Sequence, residues 1–191
     1  THADAARIRQ YLSEGSRIAI LGGGFIGLEV AATARGLGCE VTVLEAGPRL
    51  AGRVLPPVIS AALLALHRQH GVDVRLNVAL ESIQADGVLL VDGQRLPCDR
   101  VVVGIGMQPN IELATAAGLD VGQGIRVDGF LRTSAANIYA AGDVCEFRQD
   151  GLYQRQETWR NAEAQGRHAA LNLLGRELPF DALPGFWSDQ Y

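Results

Sequence analysis

Lysine is absent from this 191-residue chain: all 17 basic residues are arginine. That excludes a P-loop lysine, a Schiff-base lysine and any lysine nucleophile from the chemistry available to it. Cysteine is scarce. Cys39, Cys98 and Cys145 are odd in number and far apart, with no C-x-x-C pair, so neither a zinc site nor a disulfide framework is expected, only buried or half-buried thiols. No run approaches the ~18 consecutive apolar residues of a membrane span, and residues 1–10 lack the basic start and apolar core of a secretion signal. The expectation is a cytoplasmic protein with no membrane partner. A formal charge of -4 without a dense basic face argues against nucleic acid as a partner.

What is present is 48% hydrophobic, enough to build a real core in one domain or two small ones. Helical spacing over residues 3–12 ends at Ser13, Glu14 and Gly15, and a buried strand follows at 18–21. Residues 25–37 read as a helix capped by Gly38, and 39–44 as a second strand, which makes a β-α-β unit of about thirty residues. Strands this uniformly apolar suit a parallel sheet covered on both faces. A helix is expected at 58–69 after Pro56 and Pro57, then a strand at 72–76. Asp86-Gly87 and Asp92-Gly93 are hairpin turns, so 82–97 reads as an antiparallel meander inserted into the parallel fold before a strand at 101–103. From about Gly118 the pattern changes to short apolar runs at 125–127 and 138–141 and a long helix at 161–174. His67 and His70 form the one helical histidine pair; without carboxylate support they are expected on a solvated helix face rather than on a metal.

The informative stretch is residues 17–45, RIAILGGGFIGLEVAATARGLGCEVTVLE. Gly22, Gly24 and Gly27 make G-x-G-x-x-G at a strand-to-helix junction: the first permits the turn, the second lets backbone approach a pyrophosphate, and the third lets helix pack on strand. The helix start then offers partial positive charge to phosphate. Alone this motif is weak. Glu45, at the end of the second strand, strengthens it, because a carboxylate there accepts from the adenosine ribose hydroxyls and repels a 2'-phosphate, favouring NAD(H) over NADP(H). The counter-reading is that Arg49 or Arg53 receives that phosphate.

GGGFIGLEVAA, VLE, GIGMQPN at 104–110 and IYAAGDV at 138–144 together resemble the two-dinucleotide-binding flavoprotein reductases, the FAD-dependent pyridine nucleotide (disulfide) oxidoreductases. ETWRNAEAQG and FWSDQY resemble the branch of NADH-dependent ferredoxin reductases that serve dioxygenases and cytochrome P450 monooxygenases. The likeness covers essentially the whole chain. It implies that Gly24, Phe25 and Ile26 present backbone to the NAD pyrophosphate, that Glu45 takes the ribose, and that Glu29 lies near the nicotinamide carboxamide. Gly104 and Gly106 would let the cofactor cross the end of their strand; a simple turn is the alternative. Asp143 would accept from an FAD hydroxyl, and Trp159, Asn161 and Ala162 would start a helix towards the flavin; turn capping is the alternative for Asp143. Trp187 would lie near the flavin and the electron-acceptor face, with a plain core tryptophan as an equal alternative.

The expected architecture is therefore α/β: a Rossmann-like parallel sheet with an inserted antiparallel meander over 1–120, binding NAD(H), and the incomplete second half of an FAD-binding domain over 121–191. The expected parent activity is hydride transfer from NADH to FAD and single-electron transfer to a 2Fe-2S ferredoxin, with no acid-base catalyst in this chain. As a fragment it is expected to be inactive by itself. The alternatives are a stand-alone NAD-binding or regulatory module without flavin, and another FAD-dependent reductase of the disulfide type.

Overall fold

The chain opens with α1 (His2–Tyr11), whose start is closed by a capping box between Thr1 and Asp4. It continues through β1 (Arg17–Leu21), α2 (Phe25–Gly36), β2 (Glu40–Glu45), α3 (Pro57–Gln69) and β3 (Asp73–Leu76). Next come β4 (Leu80–Gln84), β5 (Gly87–Leu90), β6 (Arg95–Pro97), β7 (Arg100–Val103) and α4 (Glu112–Ala116). The last elements are β8 (Ile125–Arg126), β9 (Cys145–Gln149), β10 (Leu152–Gln154) and α5 (Trp159–Leu173). The structure is a computed structural model that describes residues 1–149, 151–182 and 185–191. It comprises two compact units, Thr1–Gly106 with Ser188–Tyr191, and Met107–Trp187.

In the first unit a parallel sheet has the order β3-β2-β1-β7. Alternation along β1 decides what covers it: Ile18 and Ile20 join α2 residues Leu28, Ala31 and Ala34 in one core, while Ala19 and Leu21 join Val88 and Leu90 of β5 in another. The antiparallel sheet β4-β5-β6 thus covers the second face of the parallel sheet, which is why the strands are apolar on both sides. Arg17 pins the sheet's lower edge, its backbone N–H and guanidinium both donating to Asp99 just before β7.

The second unit holds a three-stranded sheet, β10-β9-β8, and the long helix α5, around Val127, Leu131, Ala140, Cys145 and Ala169. Residues 138–141 form no strand among the described residues, only the bridge of Tyr139 to Arg132, because their backbone bonds go to the neighbouring loop (Thr133 N–H to Ile138 O, Ala140 N–H to Leu131 O). The β9–β10 hairpin and the short α4 were not anticipated.

Candidate functional site

The order β3-β2-β1-β7 reverses direction between β1 and β7, and in open α/β sheets the crevice beyond the strand ends at such a point is where ligands bind. Three glycines occupy it. Gly22 has φ +102, and a Cβ there would strike the Gly104 carbonyl; a Cβ on Gly27 would strike the Gly22 carbonyl. Gly104 lies so close to Gly27 that an added Cβ would be 3.4 Å from its nitrogen. These three are close-packing positions that let β1, α2 and β7 meet. Gly24 differs: a Cβ there would meet nothing within 4 Å, so its backbone faces open space at the start of α2. That helix start has neither a side-chain cap nor an acidic residue in its first turn, and Ile26 is exposed. Gly106, at φ +133, also faces open space.

Glu45 reaches the same turn from the end of β2. Its Oε2 accepts from the Gly23 amide at 2.7 Å and its Oε1 from the Gly47 amide at 2.6 Å, so the carboxylate holds the glycine turn in place as well as facing it. Each oxygen keeps a further lone pair for a hydroxyl donor. Arg49 is committed to its own loop, donating to the Leu55 and Gly52 carbonyls, whereas Arg53 is exposed with no partner among the described residues.

Glu29, one turn into α2, accepts a hydrogen bond from Ser188 Oγ at 2.6 Å. Sequence reasoning missed Ser188, although it lies inside the FWSDQY stretch that was singled out. The expectation for His67 is overturned: it is completely buried rather than on a solvated face, and bonds Gln190 and Tyr191. The segment Ser188–Tyr191 supplies the cover that a helix taken alone could not reveal.

In the second unit Asp143 is exposed and its carboxylate caps nothing among the described residues; its backbone carbonyl accepts from Arg155. Gly142 before it has φ +82, and its amide donates to the buried Gln165 Oε1 at 2.7 Å. Gln165 is a second missed residue, whose signal was its place four after Asn161 and four before Ala169 on the buried face of α5. Thr158 caps α5 by accepting from the Asn161 amide, and Ala162 packs against Gly142. Asn161 is buried and donates to the Gln156 carbonyl. Trp159 is 67% exposed and Trp187 50%, the rings meeting edge to face at 5.7 Å with the Arg160 guanidinium over Trp187. A plain core tryptophan is therefore not what the structure contains at 187.

All three cysteines are free and buried. Burial raises the Cys39 and Cys98 thiols above their ordinary value and pushes Cys145 up to about 12. Neutral thiols in such surroundings are poor nucleophiles.

The sequence model of a family described as pyridine nucleotide-disulphide oxidoreductase matches residues 1–166. The chain is 48% identical over 197 residues to the anthranilate 1,2-dioxygenase system ferredoxin–NAD(+) reductase component of Burkholderia cepacia, covering all of this chain and 48% of that protein. Among solved structures it resembles the ferredoxin reductase for the CYP199A2 system from Rhodopseudomonas palustris, at 43% identity and a TM-score of 0.94 over the whole chain and 49% of that protein. It also resembles the covalent putidaredoxin reductase-putidaredoxin complex, at 42% identity and a TM-score of 0.92 over the whole chain and 48% of the matched one. The chain spans about half the length of each of these relatives.

Proposed function

The chain belongs to the pyridine nucleotide-disulphide oxidoreductase family, and from that membership we propose that it is the nucleotide-reading half of a flavoprotein NADH:ferredoxin reductase. In this reading residues 1–120 bind NAD(H) and residues 121–191 contribute the second half of an FAD-binding domain. The observation that carries it is the open space over Gly24, at the switch point of the sheet and beside Glu45. A pyrophosphate fits a helix start that has backbone exposed, no side-chain cap and no nearby first-turn carboxylate.

Each residue then has a defined task. Gly24, Phe25 and Ile26 present backbone to the pyrophosphate, while Gly22, Gly27 and Gly104 bring the strands and helix close enough to form the crevice. Glu45 holds the turn and accepts from the ribose, and its charge disfavours a 2'-phosphate. Glu29 faces the nicotinamide carboxamide, and Gly106 leaves room for the cofactor beyond β7. Asp143 accepts from an FAD hydroxyl, and the start of α5, with Trp159, Asn161 and Ala162, directs its positive end towards the flavin. Trp187 forms part of the acceptor-facing wall. When bound, FAD supplies the exchange of a hydride from NADH for single electrons to a 2Fe-2S ferredoxin; the chain's residues bind and orient. The ferredoxin as partner is supported by the relatives' names. A cytoplasmic setting is part of the proposal, on the ground of three free thiols.

Calorimetric titration of the purified chain tests this reading. NADH is expected to bind one per chain and NADPH more weakly; tighter binding of NADPH would overturn the role of Glu45, and failure of both would overturn the site. FAD is expected to bind the chain poorly, since half a pocket buries too little of so large a ligand to offset its lost freedom. A stoichiometric yellow protein that reduces ferricyanide with NADH would contradict that part.

A further inference from the structure

Four side chains join Glu29 to the interior of the first unit in one unbroken series of hydrogen bonds. Ser188 Oγ donates to Glu29 Oε1 at 2.6 Å, and Gln190 Nε2 donates to Ser188 Oγ at 2.8 Å. His67 Nε2 meets Gln190 Oε1 at 2.8 Å, and Tyr191 OH meets His67 Nδ1 at 2.8 Å. The direction of every bond follows from the first. An ionised carboxylate only accepts, so the Ser188 hydroxyl must donate to it and present its lone pairs to the Gln190 amide nitrogen. That turns the Gln190 carbonyl to His67, which must carry its proton on Nε2 and accept from Tyr191 on Nδ1. The series therefore has one consistent arrangement, with neutral His67.

The far end of the series is held by packing. His67 is fully buried in α3, and the Tyr191 ring is clamped between it, edge-on at 5.1 Å, and His70, stacked at 3.7 Å and 9°. Burial lowers the affinity of His67 for a second proton, in keeping with the neutral form that the bonds require. At the other end, Glu29 Oε2 has no partner among the described residues, so the bond on Oε1 fixes the carboxylate while leaving an oxygen to accept from a ligand.

We propose that Ser188, held by Gln190 and His67, is a positioning residue for nicotinamide recognition: it locks the Glu29 carboxylate in the orientation that reads the carboxamide N–H of NADH. This rests on the NADH reading above and adds to it a specificity element from the far end of the chain. A carboxylate on a long, rotatable side chain loses conformational freedom when it binds; one already held by a buried anchor loses less.

The test compares two ligands that share the adenosine, ribose and pyrophosphate but differ at the nicotinamide. The 191-residue chain and its Ser188→Ala variant are titrated with NADH and with ADP-ribose. Ser188→Ala is expected to weaken NADH about tenfold, the scale of one hydrogen bond to a charged group, and to leave ADP-ribose unchanged, with Ser188→Thr restoring NADH. Gln190→Leu, one link further, is expected to move the same ratio in the same direction by a smaller factor. Equal loss for both ligands, or no change in either, overturns the positioning role. If the unmodified chain bound neither ligand, the NADH reading itself would fall and this inference with it, so the two failures are told apart by which protein shows them.

Discussion

The Glu45 carboxylate accepts from two backbone amides before any ligand is considered, so its replacement acts on the turn as well as on affinity. Glu45→Ala strands two part-buried N–H groups and is expected to cost about 2–3 kcal/mol of stability, read from the urea midpoint, and to weaken NADH at least tenfold in calorimetry while relaxing discrimination against NADPH. Glu45→Gln is expected to be nearly as damaging, because its amide nitrogen must face one of two donors. The thiols supply a second prediction at this scale. With Cys145 pushed up to about 12 and Cys39 and Cys98 raised by burial, a thiol reagent at pH 8 is expected to react slowly with the native chain and with three thiols after unfolding. A fast stoichiometric reaction in the native state would show that one of them is exposed.

Within the strand-turn-helix element, glycines of one motif have separable duties. Gly27→Ala forces a methyl against the Gly22 carbonyl, a backbone atom that cannot turn aside, and is expected to destabilise by about 1–3 kcal/mol. Gly24→Val meets open space, so native circular dichroism with lost NADH binding is the expected pair of observations. Unchanged affinity in Gly24→Val would make the motif purely structural. The sequence alone placed this turn correctly, because the β-α-β grammar depends on local periodicity and on glycine's unusual backbone freedom. It also assigned Gly22, Gly24 and Gly27 their separate duties, but not the partner of Gly22, the Gly104 carbonyl just after β7, some eighty residues away. The buried amides of α5 escaped for a similar reason. Gln165 reads as a polar helix residue until the tertiary structure sets the Gly142 amide against it.

For the whole molecule, acid should act in two stages. Burial holds the folded His67 pKa below the ordinary 6.5, so its contribution to stability is complete above that value and is lost as pH falls from there to the lower folded value. Hydrogen bonds from Arg17 lower Asp99 from 3.8 to about 2, so its contribution is present above 3.8 and is lost as pH falls towards about 2. Urea melts across pH 7 to 2 should show both declines, with His67→Gln flattening the upper and Asp99→Asn the lower; a His67→Gln profile identical to that of the unmodified chain would contradict the first. The sequence by itself determined the parallel β-α-β frame, the inserted meander, the glycine turn and the acidic end of β2, because those follow from short-range periodicity, turn chemistry and fixed spacing. Only the tertiary structure decided that the meander covers the sheet's second face, that His67 is buried, and that Ser188–Tyr191 returns to α2 and α3 to hold Glu29. These are contacts between residues as many as 159 positions apart, and no local pattern records a partner that far along the chain.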